Sequence, residues 1–261
     1  MIRKKGIFSW YGFPTPIKMR FVLIKKAGFD STMLWWGDGK AFAELEKSEL
    51  VEEANKNCLL IENIHVPFEN ANDIWIDEKE RRTAILDQYI DWIQDCSKFK
   101  IPMMVMHISK GYDIVKPTKN GLTAIEKLTR EAENQDVKLA LENTRNNTLL
   151  EYLLNNIHNK HLGLCYDTSH ANLYGDDQFN LLEKYKKRLF CFHISDNDGK
   201  DDTHWQIGNG RVNWNAFIKK FPADYKGIIS LEVYPKTNEE SEKAFLNEAF
   251  GTLVNLESRL N

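Results

Sequence analysis

Long apolar runs are missing from this sequence. The longest stretch without a charged residue is the 12 residues Gly6–Ile17, which contain Pro14 and Pro16, whereas a membrane-spanning helix needs about 20 apolar residues. The basic residues at the start, Met1–Lys5, are not followed by an apolar run and a small-residue cleavage site. We therefore expect no membrane segment and no secretory signal, and we interpret the protein as cytoplasmic.

Cysteine pairs and an excess of one charge are also missing. None of the four cysteines belongs to a C-x-x-C pair, so we interpret them as reduced core thiols: Cys58, Cys96, Cys165 and Cys191. Lys and Arg number 35 against 38 Asp and Glu, which gives a net charge of −3. This balance argues against a general nucleic-acid binder but does not exclude a local basic groove.

Eight short apolar runs, each 5–8 residues long, are spread along the chain. They are rich in valine, isoleucine, leucine and aromatic residues and are bounded by polar or turn residues, which is typical of buried strands. Their near-continuous apolarity favours a parallel sheet that is covered on both faces. The predicted strands are Gly6–Trp10, Ser31–Trp36, Leu59–Val66, Met103–Ile108, Lys138–Glu142, Leu162–Asp167, Leu189–Ile194 and Ile228–Val233.

Longer stretches with helical spacing lie between the strands. They are Ile17–Ala27, Glu78–Phe99, Thr123–Glu133, Thr148–Ile157, Phe179–Arg188, Asn213–Phe221 and Glu240–Leu260. This alternation predicts an α/β protein, a closed (β/α)8 TIM barrel that residues 1–261 form as a single domain. An open Rossmann-like sheet is the alternative, but the first strand is followed by Tyr11-Gly12-Phe13-Pro14 rather than a G-x-G-x-x-G turn.

Ionisable side chains stand at the ends of six consecutive predicted strands. They are His65, His107, Glu142, Asp167, His193 and Glu232, and His170, Asp202 and His204 follow shortly after strands six and seven. The strand ends of a barrel converge on one face, where its active site is built. Unpaired charges gathered there are costly to desolvate, whereas imidazole and carboxylate are the ordinary ligands of a divalent cation. The pattern therefore predicts a metal site.

Four segments carry a resemblance to a known family: Leu141–Thr144, Asp167–Ala171, His193–Asp198 and Asp202–Gly210. Together they resemble the xylose isomerase-like barrel superfamily, which includes sugar isomerases and epimerases and the endonuclease IV repair enzymes. The resemblance covers nearly the whole chain, but these segments do not select one activity. It also implies a homodimer, because barrels of this superfamily often dimerise.

The resemblance implies a role for each candidate ligand. Glu142, Asp167, His193 and Glu232 match the ligands of a central metal, His65 and His107 share Glu142 in a second site, and His170, Asp202 and His204 match a third. All nine positions carry residue types compatible with metal binding. The implied cofactor is a divalent metal, zinc or manganese, with one to three ions.

Three functions stay open. The first is a metal-dependent isomerase or epimerase of a small sugar or sugar phosphate, in which the resemblance makes Glu142 and Glu232 the base and acid. The second is an endonuclease IV-like multi-zinc phosphodiesterase acting on abasic DNA or another phosphoester, although Tyr11–Thr15 and Trp36–Lys40, which follow the first two strands, contain no arginine. The third is a non-catalytic barrel that binds sugar or metal.

Candidate substrate contacts are mostly aromatic residues near the strand ends. They are Trp10, Phe13, Trp35, Trp36 and Trp205, which offer flat apolar walls to a sugar, together with Arg211. For Trp10 and Trp35 packing in the core is an equal alternative. The turn Gly208-Asn209-Gly210-Arg211 is either an anion site or a simple loop before the next helix.

Overall fold

Eight parallel strands form the centre of the molecule. The computed structural model describes residues 2–37, 45–175, 179–237 and 241–260. The strands are β1 (Lys5–Phe8), β2 (Ser31–Trp35), β3 (Leu60–His65), β4 (Met103–His107), β5 (Lys138–Glu142), β6 (Leu162–Asp167), β7 (Leu189–His193) and β8 (Ile229–Leu231). Each predicted strand is therefore confirmed.

The sheet closes into a barrel. Its strand order is β7-β6-β5-β4-β3-β2-β1-β8, with parallel pairing between neighbours. The two edge strands are joined by a parallel bridge between Ile194 and Leu231, where Ile194 donates its N–H to Ser230 and accepts one from Glu232. The predicted (β/α)8 barrel is thus confirmed.

Helices cover the outside of the barrel. They are α1 (Ile17–Ala27), α2 (Lys47–Lys56), α3 (Lys79–Phe99), α4 (Lys119–Asn134), α5 (Asn147–Asn156), α6 (Thr168–Tyr174), α7 (Asn180–Tyr185), α8 (Trp214–Lys220) and α9 (Glu242–Arg259), with 3-10 turns at Ala71–Ile74 and Lys186–Arg188. Within the part of the chain that the structure describes, none of these helices is long and apolar enough to cross a bilayer.

Two helices were not predicted from the sequence. Helix α2 buries only Val51 and Ala54, so its apolar stripe is too thin to show in the pattern. Helix α6 has seven residues and begins directly after β6, where Asp167 caps it by accepting the N–H of His170. Predicted positions 38–40 and 240 lie outside the described residues.

Two of the cysteines fill the barrel interior. Cys165 and Cys191 are adjacent across β6 and β7 and pack with Met103, Val105 and Ala140 in a small cluster separate from the main core. The expectation of core thiols is wrong for Cys58, which is exposed because it follows the end of α2 with a left-handed φ of 53°. All four thiols are free.

A tryptophan links the helical layer to the loop after β4. The ring of Trp75 packs on α4 at Gly121, where a Cβ would overlap it. The indole of Trp75 donates a 2.6 Å hydrogen bond to the carbonyl of Ile108, so this packing fixes the chain just beyond His107.

We expect Gly121→Ala to lower the free energy of unfolding by about 1–3 kcal/mol, because the added methyl group overpacks the Trp75 ring. Gly251, in α9, has open space around its Cβ position, so the matched variant Gly251→Ala should raise stability by about 0.5–1 kcal/mol through helix propensity. Urea denaturation measures both changes. Equal effects of the two variants would contradict the proposed packing.

A carboxyl group is buried inside the barrel on β3. Burial raises the pKa of Glu62 from 4.5 to about 7, although the hydrogen bond from Ser230 and the nearby His193 act to lower it. The native state therefore holds this proton more tightly than the unfolded state does. Between about pH 4.5 and 7 the contribution of Glu62 to the free energy of unfolding falls by about 3 kcal/mol as the pH rises.

The free energy of unfolding of the variant Glu62→Gln should not contain this fall with pH, because glutamine has no proton to release. We expect the difference in unfolding free energy between Glu62→Gln and the parent to grow by about 3 kcal/mol from pH 4.5 to pH 8. Denaturation at a series of pH values measures it, with the exposed Glu248→Gln as the control. A difference that stays constant with pH would show that Glu62 does not titrate in this way.

Candidate metal centre

Four of the predicted ligands converge at the mouth of the barrel. One ligand atom from each of Glu142, Asp167, His193 and Glu232 lies within 4.8 Å of the others. Nδ1 of His193 is 2.8 Å from Oε2 of Glu232 and 3.2 Å from Oε1 of Glu142. The ends of β5, β6 and β7 and the residue after β8 supply these side chains, because parallel strands finish on the same face.

These close contacts are not hydrogen bonds. Among the described residues no hydrogen-bond partner is found for several buried atoms of the group: Glu142 Oε1, Asp167 Oδ2, His193 Nδ1, His193 Nε2 and Glu232 Oε2. Buried polar atoms without partners are costly, and most proteins avoid them. A divalent cation accepts electron pairs from such oxygen and nitrogen atoms, so the four side chains fit a metal.

The electrostatics of the centre keep its carboxylates ionised. Burial alone would raise the pKa of Glu142, but His193 and His107 hold it well below its ordinary value. In the same way burial is outweighed at Glu232, where His193 lowers the pKa to about 2. Burial raises the pKa of Asp167 to about 6, although His170 and His204 act to lower it. Around neutral pH the carboxylates are ionised, which is the form that binds metal.

A second group shares the carboxylate of Glu142. Its Oε2 lies 3.1 Å from Nε2 of His65 and 3.2 Å from Nε2 of His107. His65 is oriented by a 3.1 Å contact from Nδ1 to the carbonyl of Val66. The structure therefore brings together the three residues that the resemblance assigns to a second site.

The third predicted group is also brought together. Asp202 lies between two imidazoles, with Oδ2 3.0 Å from His170 Nε2 and Oδ1 3.1 Å from His204 Nε2. The other ring nitrogens are held by backbone carbonyls, His170 Nδ1 at 2.9 Å from Asn143 and His204 Nδ1 at 3.0 Å from Glu232. Such backbone partners fix the ring orientation of metal-binding histidines. His204 has a left-handed φ of 47°, a conformation that costs about 1 kcal/mol or more.

A buried aspartate that the sequence analysis missed holds the loop after β7. The carboxylate of Asp196 accepts four hydrogen bonds, each 2.9 Å long, from the backbone of Asn197, Gly208 and Val212 and the indole of Trp214. Its backbone also pairs with Trp205 in an antiparallel bridge. Asp202 and His204 lie within this loop, so Asp196 fixes their positions. The signal that marks it is an acidic residue just past a strand end.

Strands β5 and β6 are locked together beside the ligands they carry. Asn143 donates a 2.9 Å hydrogen bond to the carbonyl of Asp167 and accepts one of 2.7 Å from its N–H. Thr168 and Ser195 make a similar pair between the ends of β6 and β7. These bonds join the chain segments next to the ligands.

The ligand groups open into a central cavity of about 250 Å³. Its walls include Trp10 and Trp35, and Trp35 stacks on His65 with ring centroids 5.6 Å apart. The sequence analysis missed four of the lining residues, which lie on β1 or shortly after β3 and β8: Phe8, Phe68, Glu69 and Tyr234. Phe68 stacks on His107 at 4.3 Å.

The other predicted substrate contacts do not line the central cavity. Trp36 is 1% exposed and donates its indole N–H to Asp95 on α3, because adjacent strand residues face opposite sides of a sheet. Phe13 packs on Tyr11 and Phe245. Lys236 Nζ lies 4.1 Å from the ring centre of Trp205.

The glycine turn before α8 has a structural role. A Cβ at Gly210 would overlap Asn197 and the carboxylate of Asp196, so this glycine permits the loop to pack around the buried acid. Arg211 is exposed, and its backbone N–H donates a 2.7 Å hydrogen bond to the backbone carbonyl of Asn197. The simple-loop interpretation of Gly208-Asn209-Gly210-Arg211 therefore fits this structure, and Arg211 lies away from the central cavity.

Curated proteins show a clear but distant relationship. An uncharacterized protein of Methanocaldococcus jannaschii is 27% identical over 191 residues, which cover 65% of this chain and 63% of that protein. A probable endonuclease 4 of Campylobacter concisus is 29% identical over 182 residues, which cover 59% of this chain and 63% of that protein. The chain thus spans less than two thirds of the length of either relative.

Solved structures share the fold over almost the whole chain. An L-ribulose 3-epimerase superposes with a TM-score of 0.82 at 16% identity, covering 99% of this chain and 96% of that one. The IOLI protein, solved with a bound zinc atom, gives a TM-score of 0.81 at 17% identity, covering 98% and 99%. The family model described as xylose isomerase-like TIM barrel matches residues 21–249. The chain therefore belongs to the xylose isomerase-like TIM barrel family.

Proposed function

We propose that this protein is a metal-dependent isomerase or epimerase of a small sugar, which moves a proton at the carbon next to a carbonyl. The observation that carries the proposal is the pair of carboxylates, Glu142 and Glu232, which lie 3.2 and 2.8 Å from His193 Nδ1 and both line the central cavity. Two positioned carboxylates are what proton removal and return require.

Each part of the central cavity has a task in this reaction. Glu142, Asp167, His193 and Glu232 would hold the metal, which when bound supplies a Lewis acid that polarises the substrate carbonyl. Glu142 and Glu232, whose pKa values are lowered, are ionised at neutral pH and can take up the proton. Trp10 and Trp35 line this cavity, where their rings would give apolar surface to the C–H groups of a sugar. A cavity of about 250 Å³ suits a ligand smaller than a drug molecule.

The ligand groups support zinc or manganese as the metal, since imidazole and carboxylate serve both. The number of ions separates the leading proposal from a second candidate. The predicted second group (His65, His107 and Glu142) and third group (His170, Asp202 and His204) each bring all their ligand atoms close together. This observation favours a multi-zinc phosphodiesterase as the alternative. A fold relationship to epimerases does not exclude that chemistry.

We expect the protein purified without chelators to hold at least one divalent ion per chain, measured by mass spectrometry. Removing the metal should lower Tm by about 5–10 °C, because a ligand at 100 times its Kd stabilises the native state by about 2.7 kcal/mol. The variant His193→Ala should not hold the central ion, and adding metal should not raise its Tm.

Two further variants make the metal test specific. His204→Ala should keep the central ion, and the exposed His158→Ala should behave like the parent. A parent with two or three zinc ions, of which His204→Ala loses one, would favour the phosphodiesterase. A protein that holds no metal, and whose Tm no added metal raises, would refute both metal-dependent proposals.

We expect Glu232→Gln to lower the rate of proton exchange at the substrate carbon by about 100- to 10,000-fold, because a positioned acid or base contributes that much. Incorporation of deuterium from D2O into ketoses, followed by NMR, measures this rate. Glu248→Gln, on the exposed face of α9, is the control. Metal content is measured on the same samples, so that loss of the carboxylate is separated from loss of metal. Full exchange by Glu232→Gln would show that this residue does not move the proton.

A further inference from the structure

A second cavity, which we call the side cavity, lies beside the central one. It has a volume of about 260 Å³. It shares part of its wall with the central cavity, namely Phe68, His107, His170 and Asp202. The rest of its wall is supplied by the segments after β4 and β5 together with Tyr174, and it includes Ser109, Lys110, Gly111, Thr144 and Arg145. None of these latter residues has a part in the metal groups described above.

Two residues on the wall of the side cavity carry buried hydroxyl groups. Ser109 is 3% exposed and Thr144 is 7% exposed. The Oγ of Ser109 and the Oγ1 of Thr144 make no hydrogen bond within the described residues. A buried donor left unpaired is unfavourable. A ligand with acceptor atoms in this cavity would give each hydroxyl, once turned about χ1, the partner that it lacks among the described residues.

Two cationic side chains line the same cavity. The guanidinium of Arg145 lies between the rings of Tyr112 and Tyr174, 5.5 and 5.3 Å from their centres, which limits the directions it can take. Lys110 is held through its backbone, because the side-chain amide of Asn72 accepts its N–H at 2.8 Å and donates to its carbonyl at 2.9 Å. In the ranges that the structure describes, neither Arg145 nor Lys110 forms an ion pair.

The side cavity has one carboxylate on its wall, and that carboxylate is already engaged. Both oxygens of Asp202 face imidazoles, His170 at 3.0 Å and His204 at 3.1 Å. The two cations are therefore free of a competing anion among the described residues. Hydroxyl donors combined with arginine and lysine are the groups that bind a phosphate.

We propose that the side cavity is a subsite for a phosphate group of the substrate, so that the sugar is a small phosphorylated one. This inference rests on the proposed function for the sugar part alone. Because the two cavities share His107 and His170, a phosphate in the side cavity places the remainder of the molecule beside the candidate metal ligands. Lys110 and Arg145 neutralise its charge, while Ser109 and Thr144 donate hydrogen bonds to its oxygens.

Inorganic phosphate tests the subsite without any turnover. Its binding to the metal-loaded protein is measured by isothermal titration calorimetry. Arg145→Ala should weaken this binding about 10- to 100-fold, as expected for the loss of hydrogen bonds to a charged group. Lys116→Ala, an exposed lysine further along the same loop that does not line the cavity, should bind phosphate as the parent does.

Thr144→Val separates binding from structure. The variant keeps the shape of the side chain and removes an unpaired hydroxyl, so the unfolding free energy should stay equal or rise. Phosphate binding should nevertheless weaken about 3- to 10-fold. A loss of stability with unchanged phosphate binding would mean that the hydroxyl serves the fold, and would overturn its assigned role.

Kinetics then assign the subsite to the substrate. For ketose phosphates, Arg145→Ala should raise KM about 10- to 100-fold with little change in kcat, while the kinetics of unphosphorylated ketoses should not change. Phosphate binding that is the same in all variants would overturn the subsite, whether or not sugars are turned over.

The outcomes for the subsite and for the proposed function can be told apart. If phosphate binding depends on Arg145, but ketose phosphates show no proton exchange and bis(4-nitrophenyl) phosphate is hydrolysed, the phosphate subsite stands. The isomerase proposal, and with it the phosphorylated-sugar substrate, is then overturned in favour of the phosphodiesterase.

Discussion

The buried carboxylate of Glu142 is the group on which the candidate site depends. One oxygen faces His65 and His107, and the other faces His193, so a single side chain belongs to two ligand groups. It can do so because it ends the strand next to those that carry His107 and Asp167, and neighbouring parallel strands end side by side. The concentration of charge that results is costly in a buried place, and a divalent cation is the simplest way to offset it.

The surrounding structure is arranged to keep these ligands in place. Asp196 organises the loop that carries Asp202 and His204 through four hydrogen bonds, and Asn143 joins the ends of β5 and β6. Residues of the helical layer, such as Trp75, position the loop after β4 in turn. A site held by such bonds is preorganised, which favours both metal binding and catalysis.

The central cavity and the side cavity have different chemistry although they touch. The central cavity combines metal ligands with aromatic walls, which suits the hydroxyl and C–H groups of a sugar. The side cavity combines cations with hydroxyl groups that have no partner among the described residues, which suits an anion. Under the proposed function and subsite, the substrate reacts at Glu142 and Glu232 and is anchored at Arg145.

The sequence by itself determined the barrel and the ionisable side chains that meet at its mouth, because apolar runs and the ionisable residues at their ends are local patterns that a parallel barrel brings to one face. It did not determine which side chains line the cavities. Trp35 and Trp36 are the same residue type at adjacent positions. Only the alternation of side chains along the chain at β2 places Trp35 at the central cavity and Trp36 against Asp95 on α3. Nothing in the sequence indicated that Ser109, Thr144 and Arg145 would share a cavity wall, although Thr144 ends one of the segments that carry the family resemblance. Their common position comes from the meeting of the segments that follow β4 and β5. That meeting is a contact between distant parts of the chain, and tertiary packing alone decides it.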